Sequence, residues 1–206
     1  MTFFLILLLI VGVCVWGFAV LNTGKKSNSD STPLVQDRHL FNLVIGDIVQ
    51  YELRDWSVET VYLYESRGFE WREYLLRDAE DVVWLCVEED DWLEVSWLTP
   101  IPQNDVALQL PLRDHLLFDG VSYNLVEKGK ATFRTLGRVN EQHGNCQFYD
   151  YKSDDSQLLS IESFGASLEQ GGDVDLCIGR LIRPTDLSLL PSDHLPGSVM
   201  LESNIR

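Results

Sequence analysis

Residues Phe3–Leu21 form one uncharged apolar run, FFLILLLIVGVCVWGFAVL, followed at once by Asn22, Thr23, Gly24, Lys25 and Lys26. No other segment restricts the folding of this chain as strongly. Nineteen residues at about 1.5 Å each reach roughly 28 Å, close to the hydrocarbon thickness of a bilayer. Residues 1–22 are therefore expected to be a single transmembrane anchor. A cleaved signal peptide is the rival reading. Such peptides carry a basic start and an apolar core of about 7–15 residues. Here only Met1 and Thr2 precede the run, and the run is longer than such a core. Gly17-Phe18-Ala19 keeps cleavage open as a small-x-small site, whereas a lipidated Cys14 is disfavoured by the bulk of Val13.

Lys25 and Lys26 set the expected direction. Cytoplasmic flanks keep Lys and Arg, so the short N-terminus should face outward and the remainder should lie in the cytoplasm. Residues 23–36 are rich in Ser, Asn and Thr and read as a flexible linker with a reach of about 20 Å. Residues 37–183 then read as one acidic domain and residues 184–206, with three prolines, as an irregular tail.

Charge bounds the partners. The chain holds 16 Lys+Arg against 32 Asp+Glu, and since residues 1–30 carry two Lys and one Asp, residues 31–206 bear −17. Nucleic acid and anionic lipid headgroups repel such a domain. Basic proteins, metal cations and polycations are its electrostatic counterparts, although the charge is equally consistent with simple solubility. Cys86, Cys146 and Cys177 are far apart in the chain, with no C-x-x-C pair, and read as buried reduced thiols. The four histidines are isolated, so neither a metal site nor a cofactor is expected.

Beyond the linker the period is two. Val49, Tyr51 and Leu53 alternate with polar residues, as do Leu93, Val95 and Trp97, and again Ala131, Phe133 and Thr135. This pattern predicts half-buried strands. Gly46-Asp47, Asp78–Asp81, Asp90-Asp91, Gly129 and Ser153–Ser156 are the expected turns. Leu112–Leu117 has room for about one helical turn between Pro111 and Gly120. The expected fold is mainly β, an antiparallel barrel or sandwich, preceded by the transmembrane helix. A faint repeat links Gly68…Trp71…Trp84-Leu85-Cys86-Val87-Glu88 to Gly144…Phe148…Leu158-Leu159-Ser160-Ile161-Glu162. It predicts two similar β-modules about a pseudo-twofold axis, with Glu88 and Glu162 in equivalent places.

Alternation aims Leu85 and Val87 one way and Trp84, Cys86 and Glu88 the other. A pocket of Trp71, Trp84 and Trp92 with Glu73, Glu88 and Glu89 would suit a cationic ligand through cation–π contact and ion pairing. Candidate ligand-binding residues are Trp71, Glu73, Trp84, Glu88 and Glu162. The competing reading makes the tryptophans core and edge packing and the acids solvated turn residues. Two carboxylates also suit acid–base hydrolysis, but no G-x-S-x-G, Walker loop or G-x-G-x-x-G accompanies them, and no catalytic residue is assigned.

Gly46-Asp47, Trp71-Arg72-Glu73-Tyr74-Leu75-Leu76 and Trp84-Leu85-Cys86-Val87-Glu88-Glu89 resemble the core of the bacterial domain of unknown function 4178 family. So do Ala131, Leu136-Gly137-Arg138, Tyr149-Asp150-Tyr151 and Leu159-Ser160-Ile161-Glu162 in the second half. Arg138 departs from the acidic residue of that family's pattern. The resemblance covers roughly residues 41–183 and implies a bacterial protein, here at the cytoplasmic membrane, but no established activity. Association of family members with polyamine-synthesis and membrane-stress genes implies a polyamine as one candidate cation. Three functions are carried forward: a non-enzymatic, membrane-tethered interaction module with a protein partner, a polyamine-binding sensor, and a carboxylate-based hydrolase.

Overall fold

The computed structural model describes residues 37–102, 108, 110–137, 141–170 and 172–192. The apolar run and the linker lie outside the described residues. No helix among those described is long and apolar enough to cross a membrane.

The alternating segments form β1 (Ile48–Tyr51), β2 (Arg54–Ser66), β3 (Phe69–Asp78), β4 (Asp81–Glu89), β5 (Leu93–Pro100), β6 (His115–Phe118), β7 (Val121–Gly137), β8 (His143–Ser153), β9 (Gln157–Phe164), β10 (Asp173–Leu181) and β11 (Ser188–Leu190). Strands β2-β3-β4-β5-β10-β9-β8-β7 pair in that order, and β7 returns to β2. The result is a closed, eight-stranded antiparallel barrel, which settles the choice between barrel and sandwich. Closure leaves no unpaired edge in the ring. Eight strands also enclose a lumen wide enough for side chains or one small ligand.

Two long strands make closure work. The start of β2 pairs with β1 and its later part, Thr60–Glu65, with β7. Likewise the start of β7 pairs with β6 and its later part with β2. Each strand has a register shift between its two parts, at Val58/Thr60 in β2 and Leu125/Glu127 in β7. A bulge bends and twists a strand, so each one can leave a flanking hairpin and enter the ring. Strands β1–β5 and β6–β10 thus each run as a five-strand meander, meeting at the β5–β10 and β2–β7 seams.

Two of the three hydrophobic clusters lie outside the ring, and a smaller one of Tyr64, Ala131, Cys146 and Phe148 lies within it. Val58, Val61, Tyr74, Leu76, Val83, Leu85, Val87 and Val95 pack under β1 and the preceding Leu40 and Leu43. On the other meander Tyr123, Tyr149, Tyr151, Leu159, Ile161 and Leu176 pack around Leu168. Each meander therefore has its own hydrophobic layer on its outward face, and the alternate face looks into the lumen.

Several local expectations are corrected. Leu53 ends the β1 alternation in sequence but lies fully exposed in the β1–β2 turn with φ of 64°. Gly129 is not a turn but an interior residue of β7. A Cβ there would come within 2.6 Å of the Phe148 ring, so glycine is needed for close approach. Leu112–Leu117 makes no helical turn, and its end becomes edge strand β6. The segment from Pro184 is not irregular throughout. It forms a short 3-10 turn and then β11, which pairs with β1; residues 193–206 lie outside the described residues. Cys86, Cys146 and Cys177 are free thiols, two buried and one partly so.

At the β5–β10 seam, a Cβ on Gly179 would lie 1.9 Å from the Trp97 carbonyl oxygen. The obstacle is backbone, which cannot swing aside. Gly179→Ala is expected to destabilise the domain by about 2–3 kcal/mol, seen as a lower denaturation midpoint. An unchanged midpoint would mean that the seam tolerates separation.

Candidate functional site

Alternation places Trp71 and Glu73 of β3, Trp84, Cys86 and Glu88 of β4, Asp150 of β8 and Ser160 and Glu162 of β9 on one side of the ring. A cleft of about 840 Å³ in the lumen is lined by Trp71, Glu73, Glu88, Asp150, Ser160 and Glu162, among others. It leads to a chamber of about 20 Å³, lined by Glu73, Trp84, Glu162 and Asp175 together with Cys86 and Cys177. All five candidates, Trp71, Glu73, Trp84, Glu88 and Glu162, therefore line one connected interior, although they come from three strands and both meanders.

The tryptophans divide between the two competing readings. Trp56 and Trp97 belong to the outer hydrophobic layer. Trp71 and Trp84 face the lumen: Trp71 stacks on Tyr64 at 4.9 Å, and Trp84 meets Tyr62 edge-on at 5.1 Å. Trp92 does not join them. It sits at the β4–β5 hairpin tip, 66% exposed, and donates its Nε1–H to Glu94 at 2.6 Å. Glu89 is exposed beside it. The hairpin tip lifts both out of the lumen, so the sequence-based pocket loses one aromatic and one acid. The polar residues it lacked are Asp150, Asp175, Tyr62 and Tyr64. The alternation of Tyr62 and Tyr64 with Leu63 was a visible signal for the last two.

Equivalence of Glu88 and Glu162 is also corrected. Counted from the two bulges, Thr60 pairs with Leu75 and Leu75 with Trp84, while Glu127 pairs with Asp150 and Asp150 with Ser160. Trp84 thus matches Ser160, and Glu162 matches Cys86. The β3–β4 turn is one residue shorter than the β8–β9 turn, and the residue-by-residue comparison set β9 two residues out of this register. Glu162 is deep in the lumen, whereas Glu88 is exposed at its mouth.

The inner carboxylates have neutral partners. Tyr64 Oη donates to Glu162 at 2.9 Å, Trp71 Nε1 donates to Glu73 at 3.2 Å, and Ser160 Oγ donates to Asp150 at 2.8 Å. Arg67, Lys128, Lys130 and Lys152 line the wider cleft, but among the described residues none forms an ion pair with these acids. Removal from bulk water without a countercharge disfavours the ionised form. Burial, opposed by the Trp71 hydrogen bond and reinforced by Asp150 and Glu88, pushes Glu73 up to about 8. Burial and then the charge of Glu73 hold Glu162 well above the ordinary carboxylate range. Burial raises Asp150 to about 6. Glu73 and Glu162 titrate together, so a proton on one permits the charge on the other.

Burial also raises Cys86, Cys146 and Cys177 above the ordinary thiol range. Their thiols stay protonated at neutral pH, which argues against nucleophilic thiolate chemistry. Among the described residues no group of three or more His, Cys, Asp or Glu is disposed to hold a metal ion. The lumen instead offers carboxylates around a narrow chamber, with aromatic rings at its wall. Such a site accepts positive charge and hydrogen-bond donors.

A family model described as a domain of unknown function, DUF4178, matches residues 44–184. The chain belongs to the domain of unknown function 4178 family. The match takes in β1–β10 of the described strands and ends at the turn before β11. No curated protein and no solved structure matches the chain.

Proposed function

We propose that the barrel binds a small organic cation of the polyamine class in its lumen and acts as a membrane-tethered interaction module. The carrying observation is the set Glu73, Glu162 and Asp150, withdrawn from bulk water without an ion-pair partner, beside Trp71 and Trp84. An ammonium group entering the inner chamber would supply the missing countercharge. Trp84 offers it a π-face, and Glu88 at the mouth suits a second ammonium farther along a flexible chain. The tether rests on the apolar run Phe3–Leu21. It would hold the domain within reach of a protein partner at the cytoplasmic face of a bacterial membrane.

The matching meanders and bulges support a further reading, that the barrel arose by duplication of one five-strand module. The site itself is then asymmetric, because Glu162 faces the place of Cys86 and Glu73 that of Phe148.

Calorimetric titration of the chain with spermidine tests the ligand. Binding is expected to release protons, since a cation favours the ionised carboxylates. Glu162→Gln and Trp84→Ala should each weaken it about tenfold or more. Absence of binding, or unchanged affinity in both variants, would reject the cation reading. The coupled pair Glu73 and Glu162 also fits a carboxylate-based hydrolase. Turnover of a glycoside by the chain, abolished in Glu162→Gln, would favour that activity instead.

A further inference from the structure

A second cleft, of about 430 Å³, lies along the β2–β7 seam and has a different chemistry. Its wall includes Phe41, Leu63, Arg72, Arg134 and His143. Four of these form one row across four neighbouring strands. Leu63 of β2 stands opposite Arg72 of β3 on one side and Arg134 of β7 on the other, and Arg134 stands opposite His143 of β8. Adjacent strands are about 4.8 Å apart, so the two guanidinium stems leave the sheet about 10 Å apart with Leu63 between them. Phe41, from the segment before β1, closes the row: the Arg72 guanidinium lies 6.0 Å from its ring centre.

The pairing pattern makes this row unusual. Acids outnumber bases two to one in the chain. Accordingly Arg38, Arg54, Arg77, Arg180 and Arg183 each hold a carboxylate within 2.8 Å. Among the described residues Arg67, Arg72, Arg113 and Arg134 form no such ion pair, and of these Arg72 and Arg134 share this one row, although Glu65 and Glu70 line the same cleft. Glu65 is turned to the hairpin tip, where it accepts the Gly68 N–H at 2.7 Å. Glu70 stands opposite Glu65, on the row next toward that tip. Basic groups close together on neighbouring strands repel, and among the described residues no carboxylate pairs with either guanidinium to relieve that repulsion directly. An anion would do so, and a guanidinium fork grips carboxylate and phosphate oxygens with directional bonds.

We propose that this cleft is a binding site for a small organic anion, a carboxylate or phosphate carried on an apolar body. Arg72 and Arg134 hold the charged end, while Phe41 and Leu63 cover the body. The volume falls within the range of small-molecule sites. The basic row lies on the outward face of the sheet, although Trp71 lines both clefts, and it would carry the opposite ligand charge.

The test is calorimetric titration of the full chain, in a neutral detergent, with 4-phenylbutyrate, phenyl phosphate, inorganic phosphate and 4-phenylbutylamine. At least one of the two aryl anions should bind with Kd below about 1 mM. The amine should not compete with it, and inorganic phosphate should bind at least about tenfold more weakly because it lacks the apolar part. Arg134→Gln alters an exposed side chain and should weaken aryl-anion binding about fivefold or more, as should Arg72→Gln. The proposal is overturned if neither aryl anion binds, if inorganic phosphate binds as tightly, or if Arg134→Gln retains full affinity while circular dichroism reports an intact fold.

Discussion

Replacing Asp47 with Ala is expected to cost about 3–5 kcal/mol, a large share of the total stability of a domain this size. Asp47 is fully buried and joins three parts of the chain. Its Oδ2 accepts the Val44 N–H at 2.8 Å and lies 2.6 Å from Arg38 Nε. Its Oδ1 accepts the Ser192 N–H at 2.8 Å. The Arg38 side chain is itself only 9% exposed, and its Nη1 has no partner among the described residues. Truncation would therefore strand a buried guanidinium and two backbone donors, each at its own desolvation cost. It would also release the two ends of the domain together, because Arg38 leads into β1 and Ser192 follows β11. Urea denaturation measures the loss, and Asp47→Asn, which keeps the shape and removes the charge, should fall between Ala and wild type. A loss under about 1 kcal/mol would show that solvent already reaches this cluster.

Stability should fall as pH rises from 5 to 9. Glu73 goes from its ordinary 4.5 to about 8 in the folded barrel, and Asp150 from 3.8 to about 6. Both are raised, so the folded state holds protons that the unfolded chain has released. The stabilisation is complete below about pH 4. It is lost progressively as pH rises through about 6 for Asp150 and about 8 for Glu73. A loss on the order of 3–5 kcal/mol is expected across that window. Glu73→Gln removes the group that must ionise while keeping an acceptor for Trp71. It should match wild type near pH 5 and exceed it at pH 9, with denaturation midpoints crossing or converging accordingly. A bound cation should flatten the wild-type profile. A flat profile without ligand would mean that the lumen is wet enough to solvate its acids.

Much of the architecture was legible because a two-residue period is a local signal. Leu85 and Val87 against Trp84, Cys86 and Glu88 fixed which side of β4 is apolar, and the same held for β9. What alternation cannot reveal is which apolar side faces inward, since it records only that one face is buried. Here the aliphatic face is outside the ring, and the face that carries the acids, together with aromatic rings, is inside it, a reversal visible only once β7 is seen to pair with β2. Gly129 misled for a related reason. Glycine signals a turn through its backbone freedom, but here it makes room for Phe148, a partner from the next strand. Trp92 and Glu89 were misplaced because a hairpin tip departs from the strand period within one or two residues. The basic row was not legible at all: Leu63, Arg72, Arg134 and His143 are distant in sequence, and only the register of four strands aligns them.

The outward placement of both hydrophobic layers separates two tasks that compete in most small proteins. In an ordinary core, reshaping a cavity removes the contacts that keep the chain folded. Here Leu76, Leu85 and Val87, with Tyr151, Leu159 and Ile161, carry much of the cohesion on the far side of the same strands, while Tyr64, Ala131, Cys146 and Phe148 add a smaller cluster inside the barrel. Substitution within the lumen leaves those layers intact. The scaffold is thus suited to diversification: neighbouring lineages could exchange lumen residues, and with them the guest molecule, while inheriting an unchanged shell.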